Sequence, residues 1–137
     1  MDKPRFLFDS NIVIGILNGA LNLEEFLDAF PDCEAYINPI IEIEVLAKAD
    51  MSKEEEAEAR ALLSKFMRAE IDESACEAAQ HLRYAIQIRR AKELRLPDAL
   101  IAASCISINA TLLSNDPHLR DYKRPGYKAM AVPEHRP

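Results

Sequence analysis

Apolar residues occur along the chain in two rhythms: short unbroken runs, and longer stretches that repeat at helical spacing. Phe6-Leu7-Phe8 is an unbroken run closed by Asp9-Ser10-Asn11, the pattern of a buried strand ending in a polar turn. Ile12 to Leu17 reads as a short helix stopped near Asn18-Gly19. Leu23, Phe26, Leu27 and Phe30 repeat at helical spacing until Pro31. Ala35-Tyr36-Ile37 is a second strand, and Asn38-Pro39 opens a helix to about Ala49, with Asn as cap and Pro where no bonded N–H is lost. Two capping boxes follow. Ser52 with Glu55 starts a helix to about Met67, and Ser74 with Glu77 starts another to about Lys92, with Glu70-Ile71 as a short strand between them. Leu96-Pro97 begins a helix through Ile106 that is apolar nearly all round and therefore belongs inside the core. Thr111-Leu112-Leu113-Ser114 reads as a buried strand, Lys128 to Val132 as an edge strand, and residues 133–137 as a frayed tail. Short apolar strands alternating with helices predict one α/β domain over residues 1–137 with a mainly parallel sheet.

The 137 residues suit a single domain, and a chain of that length buries enough surface to fold without disulfides or a structural metal. Cys33, Cys76 and Cys105 are odd in number and far apart, with no Cys-x-x-Cys, which fits small buried side chains in a reducing cytoplasm. The longest uncharged stretches, 10–23 and 99–115, fall short of the ~20 residues that span a bilayer, and no secretory signal pattern opens the chain. The expectation is a soluble, cytoplasmic protein without membrane contact. The formal charge of −6 argues at first against a nucleic-acid partner. The charge is uneven, however: residues 1–72 hold 7 basic and 16 acidic side chains, residues 73–137 hold 10 and 7.

Open parallel sheets place their sites at the carboxyl ends of the strands. Asp9 and Asp116 both follow predicted strands, so parallel pairing would bring them to one edge. Either alone is also an ordinary turn or cap residue. Glu42 and Glu44 interrupt an otherwise apolar helix about 200° apart, so only one can face a given site. Asp98 opens the most apolar helix, where the helix dipole alone would favour an acid. Carboxylates gathered in one cleft repel, and a hard cation with oxygen ligands, such as Mg²⁺, relieves them. No Walker loop, dinucleotide fingerprint, histidine pair or serine-hydrolase elbow competes with this reading.

Phe8-Asp9-Ser10-Asn11-Ile12-Val13-Ile14, Ile40 to Leu46, Leu96-Pro97-Asp98-Ala99-Leu100-Ile101-Ala102-Ala103 and Leu112-Leu113-Ser114-Asn115-Asp116 resemble, in order, the motifs of PIN-domain ribonucleases, and most of all the VapC-type toxins of toxin–antitoxin pairs. The likeness spans residue 6 to about 120. It implies a three-layer α/β/α sandwich and an endoribonuclease dependent on Mg²⁺ or Mn²⁺. It also implies a homodimer and a small antitoxin partner. Carried over residue by residue, it puts the metal-binding and catalytic acids on Asp9, Glu44, Asp98 and Asp116. Glu44 is taken over Glu42 because Val45-Leu46 follows it. Asn11 and Ser114 fall at supporting polar positions. Asn38-Pro39 departs from the Ser or Thr common at that helix start.

Arg83, Arg89, Arg90, Lys92 and Arg95, or Arg120, Lys123 and Arg124, could steer an RNA backbone, although an exposed helix face explains them equally well. Two rival readings remain: a PIN-like interaction module without activity, and a phosphatase-like hydrolase with Asp9 as nucleophile. The second lacks the acid such chemistry commonly has two residues on, where this chain has Asn11. If the four acids hold metal, the remaining acids and bases are equal in number and the overall charge no longer speaks against RNA.

Overall fold

A computed structural model of the chain describes residues 3–48, 50–89 and 94–134, and of residues 84–89 the backbone only. The first strand, β1 (Arg5–Phe8), leads into α1 (Ser10–Leu17) and α2 (Glu24–Ala29). There follow β2 (Glu34–Ile37), α3 (Pro39–Leu46), α4 (Lys53–Leu63), the two-residue β3 (Met67–Arg68) and α5 (Glu73–Arg89). The chain ends with α6 (Leu96–Ile108), β4 (Thr111–Leu113), α7 (Pro117–Arg120) and β5 (Lys128–Met130). The strands form one sheet in the order β3-β2-β1-β4-β5. Every pairing is parallel, which sharpens the expected mainly parallel sheet.

The register sorts side chains by face. Phe6 lies beside Thr111 and Thr111 beside Lys128, while Leu7 lies beside Leu112 and Leu112 beside Ala129. Phe6 and Phe8 meet Phe26 of α2 edge-on at 4.8 and 6.0 Å, and Phe8 meets Phe66 at 5.0 Å, so α2 and the turn after α4 cover that face. Alternation sends Leu7 to the opposite face, where α6 packs with α5 outside it. The result is the expected α/β/α sandwich. Leu7, Ile12, Ile41, Leu112 and Leu113 are fully buried, each contributing roughly 1.5–3 kcal/mol. Among the described residues, no helix is long and apolar enough to cross a membrane.

Local chemistry places the boundaries. The Asn38 Oδ1 accepts from the Ile41 N–H at 2.9 Å, and its Nδ2 donates to the Ser104 Oγ at 3.0 Å, so this fully buried cap also ties α3 to α6. The Ser52 capping box forms as expected. The one expected at Ser74 does not. Asp72, two residues earlier, accepts from the Ala75 N–H at 3.0 Å and starts α5, while Ser74 faces Ser107 instead. The helix α4 stops at Leu63 rather than near Met67, because tight turns from Lys65 and Phe66 back to Leu62 and Leu63 free the next residues to pair with β2. The strand between α4 and α5 is accordingly Met67–Arg68 and not Glu70-Ile71. α3 closes at Leu46, short of Ala49. The four-residue α7 did not stand out in the pattern because Asp116, its cap, read equally well as a turn. Pro133 accepts from the Asn22 N–H at 2.9 Å and Glu134 bridges Leu21, so the start of the expected tail is held. Residues 135–137 lie outside the described residues.

Candidate active site

β1 and β4 run side by side and end at the same edge, and the polar residues that follow them interlock. Asp9, only 3% exposed, caps α1: its Oδ1 accepts from the Ser10 N–H at 2.8 Å. Its Oδ2 accepts from the Ser114 Oγ at 2.7 Å and the Asn11 Nδ2 at 3.1 Å. The Ser114 Oγ in turn accepts from the Asp116 N–H at 3.1 Å, and the Asn11 Oδ1 accepts from the Asn115 N–H at 3.0 Å. Asn115 is fixed from its far side, exchanging bonds of 2.9 and 2.8 Å with the Val132 backbone. These neutral donors fix the Asp9 carboxylate, and they fill three of its roughly four acceptor positions. Asn11 is thereby committed to orienting Asp9, a role unlike the acid of a phosphatase.

The other three acids approach from separate elements: Glu44 from α3, Asp98 from the first turn of α6, and Asp116 from the cap of α7, where it accepts from the His118 N–H at 2.9 Å. Their charges act on one another. Burial, then the charge of Asp116, holds the Asp9 carboxyl above its ordinary range despite its hydrogen bonds. Partial desolvation and the charges of Asp9, Asp98 and Asp116 raise Glu44, which stays exposed, opposed by a hydrogen bond from the Ser10 side chain. Burial, Asp116 and Asp9 raise Asp98, with Arg95 and His118 in partial opposition. Among the described residues no cation is an influence on Asp9 or Glu44.

The two glutamates of α3 part company. Ile41 and Val45 are buried and set the rotation of the helix, so Glu44 turns toward Asp9. Glu42 points the other way and accepts from the Arg68 guanidinium at 2.6 Å. Ser10 was not singled out in the sequence. Its signal was available only as a hydroxyl at the first position of a helix that packs on α3. Of the basic residues proposed to steer RNA, Arg95 is exposed and its charge reaches Asp98. Arg83 instead donates to the Leu94 carbonyl at 3.0 Å and braces the approach to α6. The Arg89 side chain, Arg90 and Lys92 lie outside the described residues.

Among the described residues no three ligand-type side chains are drawn close enough together to grip an ion unaided. The donor set nevertheless suits a hard divalent cation: carboxylate oxygens from four elements, one of them rigidly held and desolvated, with Arg95 and His118 acting on Asp98 alone of the three raised carboxyls. A direct consequence is expected for stability. A carboxyl whose folded pKa is raised favours folding below its unfolded value near ~3.9 and loses that contribution as pH rises through the folded value. Asp98→Asn should therefore raise the melting temperature at pH 7 in EDTA, and the gain should vanish toward pH 4. A helix-dipole role predicts the opposite, a loss of up to ~1 kcal/mol at neutral pH, and thermal melts across pH separate the two.

The chain is thus a five-stranded parallel α/β/α domain with acids gathered at the carboxyl edge of its sheet. The sequence pattern of the PIN domain matches residues 6–125, and the chain belongs to that family. Its fold is also that of chains in toxin–antitoxin structures. The VapBC2 structure from Rickettsia felis, bound to a promoter DNA fragment, contains a chain with TM-score 0.78 and 17% identity, covering 94% of this chain and 99% of that one. A toxin–antitoxin complex from Klebsiella pneumoniae gives TM-score 0.69 and 28% identity, covering 88% and 93%. DNA-bound VapBC from Salmonella typhimurium gives 0.75 and 18%, covering 93% and 98%. No curated protein matches in sequence.

Proposed function

We propose that the chain is a Mg²⁺- or Mn²⁺-dependent endoribonuclease, the toxin of a toxin–antitoxin pair. The observation that carries this reading is the approach of Asp9, Glu44, Asp98 and Asp116 from four elements to the edge where β1 and β4 end, with the Ser114 hydroxyl linking Asp9 to the Asp116 backbone through bonds of 2.7 and 3.1 Å. These four residues would hold the ion. When bound, it lowers the pKa of an attacking water and offsets charge on the phosphodiester. Ser114 and Asn11 aim the Asp9 carboxylate, and Ser10 positions Glu44. Arg95 adds a positive charge beside Asp98 that can draw an RNA phosphate toward the edge. The presence of all four acids together favours an active enzyme over a decayed interaction module.

Ile14, Ile43 and Leu96, 40, 62 and 58% exposed, lie on the helices that carry Asn11, Glu44 and Asp98. A small antitoxin protein covering the edge fits them, in keeping with the complexes named above. A second copy of the chain has Leu27 and Met67 to bury elsewhere, and the oligomeric state in solution tests for a homodimer.

The deciding experiment is cleavage of a mixed RNA pool by the purified chain with Mg²⁺, Mn²⁺ or EDTA. Cleavage should require the ion. Glu44→Gln should abolish it, while Glu42→Gln, which removes only the pairing with Arg68, should cut at near wild-type rate. Equal activity in EDTA, or equal activity of Glu44→Gln and wild type, would overturn the assignment.

A further inference from the structure

The end of the sheet opposite the acids carries a second feature of contrary sign. A cavity of about 400 Å³ opens beneath the amino ends of β1, β4 and β5, lined by Lys3, Arg5 and Lys128 together with Phe6, Phe30 and Met130, among others. Its lining includes three cations and no carboxylate. The Arg5 Nη1 donates to the Ile108 carbonyl at 3.0 Å, which fixes the guanidinium and leaves other N–H groups of its five to bond elsewhere. No ion pair with a described carboxylate engages Lys3, Arg5 or Lys128. In a chain of net charge −6, three cations around one hollow are the reverse of the average surface, with Glu34, the register neighbour of Arg5 on β2, outside the lining. Phe30, partly buried at the end of α2, supplies an aromatic wall. The volume lies in the range that takes a nucleotide-sized group.

We propose that this cavity binds a phosphate-bearing nucleotide of single-stranded RNA, forming an anchoring site remote from the carboxylate edge. Lys3, Arg5 and Lys128 would meet the backbone phosphate and Phe30 the base, the combination of cations and aromatic face that holds unpaired RNA. Strands of 3 and 4 residues separate the two sites by roughly 10–13 Å at about 3.3 Å per residue, a gap that a few nucleotides bridge. The inference rests on the ribonuclease reading and adds to it: RNA long enough to reach both sites is held better than RNA that reaches one.

The test uses the full chain in EDTA, so that binding is read without cleavage, with a fluorescent single-stranded RNA of about twenty nucleotides. Lys3→Gln/Lys128→Gln is compared with Lys48→Gln/Lys65→Gln, which makes the same charge change at exposed lysines outside the cavity. The cavity variant should bind at least fivefold more weakly, and losing two phosphate contacts should flatten the logarithmic salt slope by about 1.4. The control pair should bind as wild type does. In Mg²⁺, a dinucleotide, too short to span both sites, should be cut equally by wild type and the cavity variant. Equal loss in both variants, or unchanged RNA binding by the cavity variant at wild-type melting temperature, would overturn the anchoring site and leave the ribonuclease reading standing. Competition by hexaglutamate as strong as by RNA would overturn it in favour of an acidic protein partner. Competition by AMP matching that of RNA would likewise overturn a strand site in favour of a free nucleotide. Absence of both RNA binding and cleavage in the wild type would instead remove the ribonuclease reading itself.

Discussion

Asp9→Asn should abolish metal-dependent RNA cleavage while leaving a folded protein. Asp9 is the most deeply held of the four acids, and its Oδ2 accepts from both the Ser114 hydroxyl and the Asn11 amide. An amide at that position removes the negative charge and sets an N–H donor against either the Ser10 N–H or the Ser114 and Asn11 donors. Groups that only orient a metal ligand are worth roughly 10–100-fold, so loss of the ligand itself should exceed about 100-fold in cleavage rate. Ser114→Ala, which removes one orienting bond, should fall inside that range. Divalent-ion stabilisation supplies a second readout. Millimolar Mn²⁺ should raise the melting temperature of wild type, since an ion bound by the native state alone adds stability, and should raise that of Asp9→Asn far less. Full activity in Asp9→Asn would mean that the acid edge is not the reacting site.

The sheet was legible from sequence where its signals are local. Phe6-Leu7-Phe8 and Thr111-Leu112-Leu113 are apolar runs that need no partner to be recognised, and Asn38-Pro39 and Ser52 with Glu55 cap helices through bonds within a few residues. β3 was not legible, because Met67–Arg68 is a strand only by pairing with Tyr36 and Ile37, residues thirty-one positions away in the chain. Phe66 and Met67 continued a helical repeat, and the contact of Phe66 with Phe8 outweighs it. The same division holds at the site. Helical geometry establishes that Glu42 and Glu44 diverge, but which one meets Asp9 depends on the rotation of α3 and on Arg68 across the groove. The cap at the start of α5 is Asp72 where the pattern gave Ser74, and the tertiary contact of Ser74 with Ser107 is absent from any local pattern. Arg83 looked like a surface charge because its acceptor, the Leu94 carbonyl, belongs to a loop.

Leu112→Ala should cost about 2–5 kcal/mol of folding free energy, the usual consequence of leaving a cavity where a buried leucine stood. Leu112 sits in the middle of β4, fully buried, with Leu7 of β1 on one side and Ala129 of β5 on the other. The loss is a large part of the ~5–15 kcal/mol that stabilises a typical domain, and it should lower the melting temperature by about 10 °C or more. Ile43→Ala, at a position 62% exposed, should change stability by no more than about 0.5 kcal/mol. The informative measurement is activity below the transition. The groups that aim Asp9 are Ser10, Asn11 and Ser114, all held at the strand end, and none touches the missing methyl groups through a hydrogen bond. Leu112→Ala should therefore cut RNA at near wild-type rate at 15 °C and gain the same Mn²⁺ stabilisation, inverting the behaviour of Asp9→Asn. A folded Leu112→Ala that has lost cleavage would show that the carboxylate edge depends on packing inside the sheet and not on its own hydrogen-bond network.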